Sequence, residues 1–140
     1  MAKTRLVAVL GMLSAAFLTI GCAWPGATGP SDEEQALRLL RDYEAAIDAY
    51  DADAAMALLS DDYVGFRGSG KEGVARLVDM LEQQGGALEL DLTNAVVTVE
   101  NGTTRVAPVV SLMGQWEFPA TYVLARTPQG WRIKGVEMQR

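Results

Sequence analysis

Carboxylates are the only conventional bases that this 140-residue sequence offers near neutral pH. It contains no histidine and a single cysteine, Cys22. Ser-His-Asp and Cys-His nucleophilic machinery is thereby excluded, and the commonest metal ligand is missing. No metal site and no cofactor is expected. The carboxylate best placed for acid or base work is Glu137, which lies among apolar neighbours close to the C-terminus. Simple strand alternation groups it with Trp131, Ile133 and Gly135. On an interior face, burial would raise its pKa and make it a candidate catalytic group. It would be structural instead if Arg67 or Arg105 pairs with it. Three other patterns carry weaker chemistry. Asp61 and Asp62 are adjacent, so their side chains diverge and read as solvated carboxylates of a turn. Gly65 to Lys71 has the spacing of a phosphate-binding loop, but Glu72 stands where a magnesium-binding hydroxyl is needed. That stretch reads as the start of a helix. Asn101-Gly102-Thr103 matches a glycosylation acceptor and reads better as a tight hairpin turn.

Large aromatic and sulfur side chains supply the second kind of candidate. Tyr43, Ile47, Tyr63, Phe66, Met113, Trp116, Phe118 and Tyr122 either line a cavity for an apolar or aromatic small molecule or simply fill the core.

The elements that would position these residues follow from the apolar spacing. Ser31 and Glu34 form a capping box. It opens a helix striped by Leu37, Leu40, Tyr43, Ile47 and Tyr50. A second short helix is expected over residues 52–59, and a short strand over Tyr63 to Arg67. Ser69 and Glu72 form another capping-box pattern, before a helix bearing Val74, Leu77, Val78 and Leu81 that ends ahead of Gly85-Gly86. The period then changes to two at Leu88, Leu90 and Leu92, and the phase slips near Asn94 to Val97 and Val99. Strands at Thr103 to Met113, Trp116 to Arg126 and Trp131 to Met138 follow. Pro108 and Pro119 are expected opposite one another at a kink. Helices first and hairpin-linked strands afterwards predict an α+β fold, with an antiparallel sheet covered on one face by helices.

This order resembles the nuclear transport factor 2-like superfamily, including its SnoaL-like and ketosteroid-isomerase-like members. The residues carrying the resemblance are the stripe Leu37, Leu40, Tyr43 and Ile47 leading to Asp51-Ala52-Asp53, then Leu58 to Val64, Gly70 to Val74, and Gly130-Trp131-Arg132-Ile133. It extends over about residues 31–138. The resemblance implies a curved antiparallel sheet wrapped around the N-terminal helices, a cone-shaped cavity, and a homodimer formed through the outer face of the sheet. It carries over no catalytic residue. Where isomerase-like members place a general base after the Asp-Asp pair, this sequence has Phe66 and Arg67. The Asp-Arg-Asp set of epoxide-hydrolase-like members has no counterpart. The last strand reads Gly135-Val136-Glu137-Met138, without histidine.

The chain begins with Lys3 and Arg5, followed by the uncharged stretch Leu6 to Ile20. At 15 residues that stretch is shorter than the roughly 20 that a spanning helix needs. Such zoning is that of a secretory signal. Leu18-Thr19-Ile20-Gly21-Cys22 resembles the lipobox of bacterial lipoproteins, although Thr19 stands where leucine is usual. The resemblance implies a signal peptide at 1–21 and an acylated Cys22 carrying palmitate-type chains. It further implies a flexible tether to residue 30 and a domain over 31–140. Ala23 after the cysteine implies sorting to the periplasmic face of the outer membrane.

Removing Lys3 and Arg5 leaves 10 basic against 18 acidic side chains. An acidic surface of this kind disfavours nucleic acid as a partner. The expectation is a lipid-anchored envelope protein with a non-catalytic domain that binds a small apolar molecule or a protein. The alternative is a carboxylate- and tyrosine-dependent isomerase, cyclase or hydratase built on Glu137.

Overall fold

The computed structural model describes residues 29–139. The segment expected to carry the signal, Cys22 and nearly all of the tether lies outside the described residues.

Two helices open the fold. Helix α1 (Asp32–Asp48) starts at Ser31, whose hydroxyl accepts from the Glu34 N–H while Glu34 accepts from the Ser31 N–H. Its buried face is Ala36, Leu39, Leu40, Tyr43 and Ile47, the three-and-four spacing of an amphipathic helix. Helix α2 (Ala52–Ala57) is capped by Asp51 and is shorter than expected, because Leu58 already ends it.

Strand β1 (Leu59–Val64) begins four residues earlier than the Tyr63-to-Arg67 stretch predicted. The Ile133 N–H donates to the Leu58 carbonyl at 2.8 Å and draws the chain into pairing at once. Phe66–Gly68 is instead a 3₁₀ turn with Arg67 in the left-handed region. Helix α3 (Lys71–Gln84) is N-capped by Gly70 rather than Ser69. Glu72 accepts from the Gly70 N–H at 3.0 Å, so the carboxylate half of the box forms without the hydroxyl half. Gly85 ends this helix in the left-handed conformation.

The sheet comprises β2 (Glu89–Asp91), β3 (Val96–Glu100), β4 (Thr103–Met113), β5 (Trp116–Thr127) and β6 (Gly130–Met138) together with β1. The strand order is β1-β6-β5-β4-β2, and β3 also pairs with β4. β2 takes one half of β4 and β3 the other, which is the phase slip expected near Asn94. The sheet is curved, unclosed and mixed rather than wholly antiparallel. β1 runs parallel to β6. Hairpin connections force antiparallel neighbours from β3 to β6. β1 is separated from β6 by most of the domain and escapes that constraint.

Two irregularities shape the concave face. On β4 the register shifts between Val106 and Val109, around Pro108. Pro119 lies opposite Val110, so the two prolines do not face each other. On β6, Lys134 is the extra residue between Ile133, opposite Leu124, and Gly135, opposite Val123. This bulge inverts the inward and outward alternation of everything after it.

Helix α1 also closes the free edge of β2. Glu44 accepts from the Leu90 N–H, Asp48 accepts from the Leu88 N–H, and Arg41 donates to the Leu90 carbonyl. An edge that would otherwise offer bare backbone to another chain is occupied in this way. Between helices and sheet, Leu40, Ile47, Val78, Leu90, Val106, Val109, Leu124 and Ile133 are essentially sealed from solvent. No helix among the described residues is long and apolar enough to cross a membrane.

Candidate ligand site

The core does not fill the cone completely. A cavity of about 330 Å³ opens between α1, α3, the β1–α3 turn and the concave face of β4, β5 and β6. That volume falls in the range of small-molecule sites.

Each wall has a local cause. Tyr43 projects from the buried stripe of α1, and Tyr63 from the inward side of β1. Phe118, Ala120 and Tyr122 alternate along β5, while Ser111 and Met113 do so on β4. Val136 and Met138 complete the floor from β6. Gly73, Val74, Arg76 and Leu77 come from α3, and Phe66 stands half exposed on the 3₁₀ turn.

Tyr43 and Tyr122 meet edge to face, with ring centroids 6.4 Å apart. The Tyr122 and Ser111 hydroxyls lie 3.5 Å apart, the outer limit of a hydrogen bond. Burial raises the pKa of Tyr43, Tyr63 and Tyr122 above the ordinary phenol value. Their proximity adds a smaller push in the same direction for Tyr43 and Tyr63. All three remain neutral at physiological pH. They can donate or accept hydrogen bonds but are poor proton-transfer groups. No buried side-chain nitrogen or oxygen among the described residues lacks a partner.

Of the residues singled out from the sequence, Tyr43, Tyr63, Phe66, Met113, Phe118 and Tyr122 stand on this cavity. Ile47 is fully buried one turn beyond Tyr43 and packs in the core. Trp116 lies at the end of the β4–β5 hairpin, 64% exposed, on a separate groove with Met80 and Gln84. Glu137 does not face the interior. The Lys134 bulge turns it to the outer surface, where Arg105 donates to it at 2.7 Å. Val136 and Met138 take the inward positions instead.

The sequence reading missed Arg76, Ser69, Ser111 and Gly73. Arg76 sits directly before Leu77 at the margin of the apolar stripe of α3, which was its one available signal. Asp61 and Asp62 are solvent-exposed and pair with Lys71 and Lys134. Ser60 donates to Asp62 and, with the Lys134 charge, holds that carboxyl below its ordinary range. Among the described residues there is no cluster of three or more groups able to hold a metal ion.

Comparison with known proteins agrees with this geometry. A Nostoc punctiforme domain of unknown function with a cystatin-like fold is similar at a TM-score of 0.60 and 21% identity, over 81% of this chain and 79% of its own. An NTF2-like protein from Cytophaga hutchinsonii gives 0.60 at 15% identity, over 79% and 98%. A Streptomyces avermitilis protein of the NTF2-like family, named as a candidate dehydratase, gives 0.59 at 18% identity, over 75% and 93%. At these identities the likeness is one of fold. No curated protein matches the sequence significantly. The profile of the SnoaL-like domain matches residues 36–136, well over half of the chain, and spans both the helices and the sheet that build the cavity. The chain belongs to the SnoaL-like domain family.

Proposed function

We propose that this protein is a lipid-anchored component of a bacterial envelope, whose SnoaL-like domain holds a small, largely apolar molecule without transforming it. The observation that carries the binding half is the open cavity of about 330 Å³, walled by tyrosines, methionines and aliphatic side chains. No carboxylate stands on its wall. The enzymatic alternative required Glu137 beside a tyrosine, and that side chain points away from the cavity. The three wall phenols are poor substitutes, since burial makes each harder to ionise. The anchoring half is supported by Lys3 and Arg5, the uncharged run to Ile20 and the lipobox-like Leu18 to Cys22.

Native mass spectrometry of the protein purified in mild detergent from its own cells tests the binding half. The expected result is a retained small-molecule adduct that disappears in Val136→Phe, which fills the floor of the cavity. A circular dichroism spectrum shows whether that variant still folds. An adduct equally abundant in both proteins, or none in either, overturns the reading.

A further inference from the structure

The cavity wall is mostly apolar, its Ser111 and Tyr122 hydroxyls lie against each other, and its one charged corner is made of donors. Two glycines bracket it. A Cβ built on Gly65 would stand 2.7 Å from the Tyr63 hydroxyl and 3.0 Å from the Ser69 hydroxyl. A Cβ built on Gly73 would stand 2.6 Å from the Ser69 hydroxyl and 3.9 Å from the Arg76 guanidinium. Neither glycine needs an unusual backbone here; what each provides is room. The missing methyl groups let Tyr63, Ser69 and Arg76 converge on the same edge of the cavity, and all three stand on its wall.

The sign of the corner is set by Arg76, the one charged residue on the wall. Among the described residues, no carboxylate lies within ion-pair distance of it. Glu72, one helical turn before it, is the nearest competitor. Its carboxylate is committed to the start of α3, where it accepts from the Gly70 N–H and from its own backbone, and the Arg76 charge acts on it only as the smallest of several influences, with no ion pair formed. Arg67, on the neighbouring turn, lays its guanidinium over the Phe66 ring at 5.1 Å and adds a second cation near the mouth. In a strongly acidic domain, a cavity bordered by cations runs against the sign of the rest of the surface and favours an anionic ligand.

We propose, building on the cavity-binding reading, that the ligand is a compact amphipathic carboxylic acid, its apolar body among the aromatic walls and its carboxylate at Arg76 and Ser69. A guanidinium matches a carboxylate with two parallel N–H donors, and the Ser69 and Tyr63 hydroxyls can supply further donors to the same oxygens. A neutral ligand would leave the guanidinium unmatched, and a cationic one would be repelled by it.

Matched probes test this on the detergent-solubilised full chain, with detergent alone subtracted. Cinnamate and cinnamamide share a ring and a length and differ in charge. Calorimetric titration is expected to show cinnamate binding about tenfold more tightly than cinnamamide, the size of one charge-assisted contact at a partly exposed site. Arg76→Ala should abolish that preference, bringing the two affinities together. Arg76→Lys should keep part of it, and Ser69→Ala should weaken cinnamate more than cinnamamide. Equal affinity of the two probes for the native protein overturns the carboxylate assignment and leaves the cavity reading standing. Binding of neither probe overturns both. A preference that survives Arg76→Ala overturns the role of Arg76.

Discussion

Ionising Tyr43, Tyr63 or Tyr122 within the cavity wall would strand a negative charge among apolar groups. That cost is why burial dominates the upward shift of all three phenols. A group whose folded-state pKa is raised contributes stability below its unfolded value, and loses it as pH climbs toward the folded one. The ordinary phenol value is 10.0, so these tyrosines leave stability unaffected below about pH 10 and erode it above. Phenolate absorbance is therefore expected to rise cooperatively with the loss of near-ultraviolet circular dichroism in alkaline titration. Gradual ionisation of these tyrosines while the fold persists would contradict the buried wall. Substitution of Glu137 is expected to matter little. Its pair with Arg105 is more than half exposed on the carboxylate side, and such pairs contribute little. Glu137→Gln should change stability by less than about 1 kcal/mol and leave ligand retention unaltered. Sequence alternation alone could not reveal this. It identified the aromatic residues because their spacing follows the period of a helix or a strand. It misplaced Glu137 because one bulged residue, Lys134, inverts the phase of β6.

Bulges and close approaches belong to pairs of elements, which explains why they are hard to read from one strand at a time. The Lys134 bulge exists only in the register of β6 against β5. The β1–β6 contact is similar. Gly135 faces Val64 across the parallel pair, and a Cβ there would stand 2.9 Å from the Val64 carbonyl oxygen. Backbone is on the receiving side, so no side chain can rotate away. Gly135→Ala is expected to push β1 off β6 and cost about 1–3 kcal/mol in chemical denaturation, as overpacking does elsewhere. An unchanged denaturation midpoint would show that β1 yields freely. β1 carries Tyr63, so the same variant should also weaken ligand retention. The start of α3 makes a related point. Ser69 and Glu72 have the spacing of a capping box, yet Gly70 takes the cap. The Ser69 hydroxyl lies instead against the positions where Gly65 and Gly73 lack side chains. A local motif was overridden by a contact between the turn, β1 and α3, and the residue released from capping became part of the cavity corner. Hairpin chemistry was legible for the converse reason: Asn101-Gly102 needs positive φ at both positions, and both have it.

At the scale of the whole molecule, the acidic domain and the proposed anchor constrain each other. With Lys3 and Arg5 removed, 18 acidic side chains face 10 basic ones, so electrostatics oppose contact with anionic lipid headgroups. In the proposed arrangement, membrane attachment would rest on acyl chains at Cys22, each buried methylene contributing about 0.8 kcal/mol, with more than one chain needed for a stable hold. The eight residues Ala23 to Pro30 would span about 26 Å when extended, enough to keep the domain clear of the headgroup layer. This separates two modes of attachment by their response to salt. A peripheral protein held by charge is released by high ionic strength, whereas an acylated one is not. The native protein is expected to stay in the membrane fraction through a high-salt wash and to incorporate labelled palmitate. Cys22→Ser should appear in the soluble fraction at any ionic strength and take up no label. Retention of Cys22→Ser on membranes would show that a surface of the domain, rather than a lipid, makes the attachment. Since Cys22 precedes α1 in the sequence and contributes nothing to the described cavity wall, the released variant should keep the cavity intact. Its affinity for cinnamate should therefore match that of the anchored protein, which makes it the means of separating where the protein works from what it holds.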